Sequence, residues 1–402
     1  MAGRLYYDDA YATEFRAQVV ERLKVSGRAA VILDGTYFYP TAGGQPNDTG
    51  TLGSARVVDV QARETDGAVI HVLDRELNSD TIAGKVDWAR RFDLMQNHTG
   101  QHILTQAFVQ AVGANTLSFH LSDDSVTIDL DQLNIPIDKV QAAEDLANRI
   151  VQENRPVRAR LIDPNDAEGV RIRKIPEPMF TDGLRIIEVE GFDTTACGGT
   201  HVKHTGEIAM IKVLRLEKRG DKTRVEFRCG GRALRDYREK NAIVNQLTAD
   251  LTCSASEIPL VMGKLRDEQR ATHQALKSAT ARLIEYEARE LLDTAPHYNE
   301  LCMVTAVYEN RDPNELRLLA NALIKTDWTI ALLGTAGDKA QIICARSGNI
   351  PHDMNPLLKT ALTMLNARGG GRPEMAQGGG VAASLEQVRA ALEAAKNLLL
   401  ST

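Results

Sequence analysis

The stretch NHTGQHILTQAFVQAVG, residues 97–113, decides the reading when it is taken together with CGGTH at 197–201. His98 and His102 are four residues apart, and apolar residues continue at helical spacing through Phe108. This predicts a helix that carries both imidazoles on one face, about 6 Å apart. Two imidazoles so placed are half of a Zn2+ site, whose usual ligands are Cys thiolate and His nitrogen. Cys197 and His201 supply the other half, and the two glycines between them admit a tight loop around one ion. A His pair on a helix is by itself commonly surface decoration, but with a Cys and His pair in the same predicted domain the reading becomes a four-ligand metal site. His204 in HVKH and His120 in SFHL read as outer or solvent-facing groups.

The neighbours of these residues exclude other chemistries. A zinc protease of the HExxH type keeps a Glu beside its first His as general base, and here that position is Thr99. There is no GxSxG elbow, Walker loop or GxGxxG following a strand, so serine hydrolase, P-loop and dinucleotide readings have no support. Cys197 as a covalent nucleophile is a weaker alternative to its role as a ligand.

Working outward, residues 1–90 read as short β segments (RAAVIL, RVVDVQAR, AVIHVL) between Gly, Asp and Asn turns, which fits a small barrel or sandwich. Residues 91–230 mix the metal-bearing helix, strands at LSFHL and SVTIDL, a polar helix near 137–153, and strands at PVRARLI, LRIIEVEG, IAMIKVLRL and TRVEFR. This is an α+β domain. Residues 231–292 predict two helices broken near Cys253–Pro259. The second, of about 34 residues, would reach roughly 50 Å and act as a spacer or a dimerising hairpin. Residues 293–402 alternate strands (CMVTAVY, TIALLG, AQIICAR) with helices at 312–325, 353–366 and 384–400. The Gly-rich GGGRPEMAQGGG (369–380) reads as a loop between the last two helices, able to bind phosphate through backbone N–H groups or to pack the helices closely. The fold class is therefore multidomain α+β.

The chain has 402 residues, 43% of them hydrophobic and 25% charged, so it can build several cores. No run of about 18 apolar residues could span a bilayer and the first residues carry no secretory pattern, so the expected location is cytoplasmic, without a membrane partner. Five cysteines (Cys197, Cys229, Cys253, Cys302, Cys344), odd in number and scattered, predict reduced thiols rather than a disulfide framework. A net charge of −6 excludes a generic polyanion binder. Basic residues are concentrated locally in Lys212–Arg235 and Arg155–Lys174, and each run reads either as a nucleic-acid contact or as a solvated strand face.

TYFYPTAGGQPNDTG (36–50), NHTGQH, CGGTH and HTGEI (204–208) together closely resemble the editing domain of alanyl-tRNA synthetase and of the free-standing AlaX-type trans-editing proteins, with the large form fitting the whole pattern. GGGRPEMAQGGG resembles the C-terminal domain of the same synthetase, shared with DHH-type phosphoesterases. The HxxxH and CxxxH pairs also occur in threonyl-tRNA synthetase, so FYPTAGGQP and the C-terminal Gly-rich segment are what point to the alanine system. Too few residues precede the motif for a class II aminoacylation core.

The resemblance implies a zinc-dependent aminoacyl-tRNA deacylase, with one Zn2+ per chain held by His98, His102, Cys197 and His201. It would cleave serine, and in a further reading glycine, from alanine tRNA. A pocket shaped for alanine rejects an added hydroxyl poorly, whereas a second site that hydrogen-bonds that hydroxyl can spare alanine. Thr41, Gln45, Thr116 and Ser118 are the candidates for that contact. The tRNA would lie on Lys212, Arg215, Lys218 and Arg219 and on the Arg155–Lys174 run through phosphate contacts, with Arg368 and Arg372 contacting it from the last domain and the helical segment setting the distance. A homodimer through the helical linker or the C-terminal domain stays open. Four protein ligands describe a closed zinc site, whereas a catalytic zinc usually keeps a position for water. Rival readings are a tRNA-binding protein with a structural zinc, editing in the threonine system, and a phosphodiesterase, the last opposed by the missing Asp-rich DHH motifs.

Overall fold

The computed structural model describes residues 3–172 and 183–401. Arg173 and Lys174, which end the second basic run, lie outside the described residues. The chain divides into two compact units, Met1–Gln246 and Leu247–Thr402.

In the first unit, strands β1 (Gly3–Arg4), β2 (Glu14–Val25), β3 (Arg28–Leu33), β4 (Gly35–Thr36), β5 (Gly50–Leu52), β6 (Ala55–Ala62), β7 (Val69–Leu73) and β8 (Thr81–Val86) come first. Six of them close a barrel in the order β2-β3-β7-β6-β5-β8. The alternation that makes a strand half-buried is plain in β8, where Ile82, Gly84 and Val86 are buried and the residues between them exposed. Ile82 and Val86 join Val31, Leu33, Phe38, Leu52, Val57, Val60 and Leu73 in the barrel core.

Helix α1 (Trp88–Val112) follows. The Asp87 carboxylate caps it by accepting from the N–H groups of Ala89 and Arg90, and Gly113 ends it in the left-handed region at φ 74°. From Leu94 to Thr105 every residue is buried, including Gln96, Asn97, His98, Thr99, Gln101, His102 and Thr105. A helix this rich in buried polar groups needs partners for them, and the neighbouring strands and loops supply them.

Strands β9 (Thr116–Leu121) and β10 (Val126–Leu130), helix α2 (Ile137–Gln152), and strands β11 (Val157–Ile162), β12 (Leu184–Val189), β13 (Asp193–Ala196), β14 (Ile211–Arg219) and β15 (Lys222–Cys229) complete this unit with the start of α3 (Gly230–Leu251). They form a four-stranded sheet in the order β14-β15-β10-β9 and a three-stranded sheet β11-β12-β13. One core joins α1, α2 and the inner faces of both sheets through Leu104, Phe108, Ile128, Ala147, Ile187, Val225 and Phe227. Close approach of α1 to the end of β15 requires Gly100, where an added Cβ would lie 2.3 Å from Cys229 Sγ.

The second unit carries α4 (Ile258–Thr294), β16 (His297–Tyr298), β17 (Leu301–Glu309), α5 (Pro313–Leu323), β18 (Thr329–Arg346), α6 (Met354–Met364), β19 (Arg368–Arg372), β20 (Met375–Ala383) and α7 (Leu385–Leu400). Its sheet runs β16-β17-β18-β20-β19. On one face α5 and the C-terminal part of α4 pack through Leu316, Leu319, Leu323 and Ile284, and on the other α6 and α7 pack through Leu357, Leu358, Val388 and Leu392. Two expectations are corrected by this unit. TIALLG and AQIICAR are parts of one strand, β18, which pairs with β17 before Gly337 and with β20 after it, with register shifts between Gly337 and Gln341. The Gly-rich segment is a β-hairpin, not a loop, because its glycines face one another: a Cβ on Gly369 would lie 2.4 Å from Gly378 Cα. No helix among the described residues is long and apolar enough to cross a membrane.

Candidate metal centre and its surroundings

His98, His102, Cys197 and His201 meet in the first unit, with one donor atom of each within 4.8 Å of all the others. Helical spacing brings the two α1 histidines together, their ring centroids 5.3 Å apart. The loop after β13 brings the other two. Cys197 Sγ lies 3.5 Å from His98 Nε2 and 3.3 Å from His201 Nε2. With Zn–N near 2.05 Å and Zn–S near 2.3 Å, a tetrahedral ion separates its donors by roughly 3.3–3.6 Å. The three-nitrogen, one-sulfur donor set and these two separations therefore fit zinc.

Hydrogen bonds on the far side of the rings set which nitrogen faces the centre. Gln45 Oε1 accepts from the N–H of Thr200 at 3.1 Å and lies 2.7 Å from His98 Nδ1, while Gln45 Nε2 donates to Thr200 Oγ1 at 2.8 Å. Since an amide oxygen only accepts, Nδ1 of His98 carries the proton and Nε2 turns its lone pair toward Cys197. Thr99 Oγ1 accepts from the Val202 N–H and lies 3.1 Å from His201 Nδ1, which holds that ring with Nε2 toward Cys197. Burial, then the neighbouring His98 and His102 and finally Arg185, push the His201 pKa well below the ordinary value. The ring stands neutral, as a metal requires. Behind His102, the Asp193 carboxylate lies 3.8 Å from Nδ1, held by Arg171 Nη2 at 2.6 Å and Thr195 Oγ1 at 2.7 Å. Gly199 is what lets the CGGTH loop close on the helix, because a Cβ there would lie 2.2 Å from His98 Cε1.

The barrel contributes through the loop between β4 and β5. Arg91 on α1 and Asp48 in that loop form an ion pair, both side chains fully buried. Arg91 also donates to the carbonyls of Ala10 and Tyr37, and Asp48 accepts from the Tyr39 N–H. The loop that carries Gln45 is thereby fixed to the helix that carries His98. His98 is covered by Phe119 of β9, stacked at 5.3 Å. Of the four cluster residues, Cys197 alone is only partly buried.

The residues read from the sequence as substrate contacts have separate fates. Gln45 is fully buried and engaged with His98 and Thr200, behind the ligands. Thr41 is exposed, where its hydroxyl closes a turn with Asn47. Thr116 is buried, with its Oγ1 3.0 Å from that of Thr105, to which Gln101 Nε2 donates, one turn beyond the α1 histidines. Ser118 lies on the opposite face of β9 and donates to Asp129. A register shift at Leu117 breaks the simple alternation that would have put the two residues on one side. His120 and His204 are outside the cluster, His204 heading the short turn Thr205–Ile208.

The basic run loses much of its excess charge when folded. Lys212 pairs with Glu144, Arg215 with Glu226 and Glu217, Arg219 with Glu217, and Arg224 with Asp129. Arg158 and Arg160 of the second run pair with Glu190 and Glu188. Lys218 makes no ion pair among the described residues. Arg368 and Arg372 stand exposed at the two ends of the edge strand β19. No sequence signal marks Arg91, Asp48, Arg185 or Asp193. Asp48 is part of TAGGQPND but carried no chemical signal of its own, and the others lie in stretches with no motif.

A family model described as the threonyl and alanyl tRNA synthetase second additional domain matches residues 184–226, and a DHHA1 domain matches residues 300–400. The chain is 28% identical to the alanyl-tRNA editing protein AlaX-L of Pyrococcus horikoshii, over 94% of this chain and 94% of that one. It is 32% identical to the alanine–tRNA ligase of Pyrobaculum neutrophilum, over 96% of this chain and 44% of the ligase. With the ligase of Pyrococcus furiosus the figures are 29%, 98% and 43%. The chain thus spans less than half the length of the ligases it matches. A solved C-Ala domain of Aquifex aeolicus alanyl-tRNA synthetase is 28% identical over 24% of this chain and 94% of that domain, at a TM-score of 0.22.

Proposed function

Given a chain that resembles the large AlaX-type editing proteins over nearly its whole length, we propose that it hydrolyses the ester linking a wrong amino acid to the 3′ end of alanine tRNA. We take serine as the main substrate, with glycine as a further one. The observation that carries the proposal is the convergence of His98, His102, Cys197 and His201, from motifs far apart in the chain, on one zinc-compatible centre of which Cys197 is the one partly exposed member.

A zinc ion held by these four residues would supply Lewis-acid polarisation of an ester carbonyl or of water. The chain's own groups do the rest. Gln45 holds His98 in the ligating tautomer, and Thr99 orients the His201 ring. Phe119 and the buried α1 keep bulk water from the inner side of the centre. Thr116, turned toward α1 beside Thr105 and Gln101, is our choice for the contact to a substrate hydroxyl, and a site built to bond that hydroxyl discriminates strongly against alanine.

We assign 1–90 and 91–230 to the hydrolytic part, 231–292 to a helical spacer and 293–402 to tRNA binding or self-association. Lys212, Arg215, Lys218 and Arg219 would contact tRNA phosphates, as would Arg368 and Arg372. Such an enzyme would act in the cytoplasm. Release of free serine from seryl-tRNA(Ala) by catalytic amounts of the whole chain tests the proposal; a folded, zinc-loaded chain that leaves the ester intact would refute it and favour a tRNA-binding role with a structural zinc.

A further inference from the structure

Arg185 on β12 and Tyr7, in the short turn Leu5–Tyr7, pack against each other beside the loop that carries Cys197. Arg185 Nη1 donates to the carbonyls of Cys197 and Gly199, at 2.7 and 3.0 Å. The guanidinium lies over the Tyr7 ring, 4.8 Å from its centroid. Tyr6 meets Tyr7 edge-on at 4.6 Å and Tyr39 at 5.3 Å. Tyr6 is 1% exposed. Tyr7 and Arg185 are only half buried, beside the one cluster residue that is not fully buried.

We propose that Tyr7 and Arg185 form the subsite for the terminal nucleoside of the RNA, with Tyr7 stacking on its base and Arg185 binding its ribose or phosphate oxygens. The inference rests on the ester hydrolysis proposed above. If the scissile ester sits at Cys197, covalent structure requires the base to lie close by, since the base and the ester share one ribose ring. A ring with an Arg guanidinium over it is the chemistry that holds such a base: stacking accepts any base, and the cation complements the backbone. Arg185 also fixes the Cys197–Gly199 backbone, so the subsite and the ligand loop are mechanically one piece.

The test uses the full chain and Tyr7 variants, because Arg185 cannot be altered without disturbing the ligand loop. Binding of 5′-fluorescein-labelled CCA trinucleotide, read by anisotropy, should weaken roughly 5- to 100-fold in Tyr7→Ala and recover in Tyr7→Trp, with bound zinc unchanged in both. For seryl-tRNA(Ala), Tyr7→Ala should raise KM while kcat stays near wild type. Trinucleotide binding and KM both unchanged in Tyr7→Ala would overturn the subsite while leaving the hydrolysis intact. A wild-type chain that binds the trinucleotide through Tyr7 but cleaves no ester would sustain the subsite and sink the hydrolysis.

Discussion

The carboxamide oxygen of Gln45 accepts a hydrogen bond from Nδ1 of His98 at 2.7 Å, joining a barrel loop to the metal-facing helix. Gln45 therefore acts on the centre from behind a ligand. Replacing it by Leu frees the His98 ring to turn and leaves the Thr200 N–H without its acceptor. Loss of such an outer partner lowers metal affinity about 10- to 100-fold. Competition for zinc with a chromophoric chelator should show that drop, whereas unchanged affinity would remove Gln45 from the zinc-holding apparatus.

Gly199→Ala should be more severe than its size suggests. The new methyl would lie 2.4 Å from His98 Nδ1 and 2.8 Å from Gln45 Oε1, so ring and amide must both move. The expected outcome is a folded protein that purifies with little zinc, read by metal analysis beside circular dichroism. A full equivalent of zinc in this variant would mean the loop can open without losing its ligands.

The buried pair Arg91 and Asp48 ties the Gln45 loop to α1. Removing one partner of a buried pair leaves an uncompensated charge and costs about 3–5 kcal/mol. Arg91→Met should lower the urea midpoint accordingly, and Arg91→Met with Asp48→Asn should recover part of the loss. A single-variant effect below about 1 kcal/mol would show that the pair is not fully desolvated.

Stability should fall in mild acid partly because of His71. The ring is fully buried in the barrel between Thr36 Oγ1 at 2.8 Å and the Val31 carbonyl at 3.2 Å, and burial pushes its pKa down to about 4. Between the unfolded value near 6.5 and about 4, the unfolded chain binds a proton that the folded chain does not, so stability rises with pH across that window. The contribution, fully present above pH 6.5, is diminished by an amount on the order of 3 kcal/mol by about pH 4. Urea unfolding of His71→Gln should show a flatter pH slope between 6.5 and 4 than the wild type; parallel slopes would place the acid sensitivity elsewhere.

Arg368 and Arg372 frame an exposed edge strand of glycines. Their replacement by Ala should weaken tRNA binding and reduce the dependence of log affinity on log salt by about one unit for each phosphate no longer neutralised. Trinucleotide affinity should not change, and equal losses on both ligands would count against this assignment.

What the sequence revealed follows from how local each signal was. The metal residues were legible because His98 and His102 obey helical spacing and Cys197 and His201 share one short loop. β2 was not legible, because EFRAQVVERLKV spreads its charges without clean alternation and most of its residues stay exposed in the barrel. The Gly-rich hairpin reads as a loop in the sequence because glycine signals turns, whereas here it permits two strands and α6 to approach closely. Thr116 and Ser118 parted because a single bulge reverses a face. The positive charge of residues 212–235 was overstated because its partners Glu144, Asp129 and Asp93 come from distant parts of the chain.

The most direct test of a hydrolytic zinc centre is deacylation of seryl-tRNA(Ala) and alanyl-tRNA(Ala), side by side, by the chain as purified, after chelator treatment and after zinc is restored. The expected result is rapid loss of serine with alanine spared, abolition of that activity in a stripped but still folded chain, and its return with zinc. Serine release that persists at full rate without zinc would contradict the role given to His98, His102, Cys197 and His201, and no release by the zinc-loaded chain would contradict the function itself.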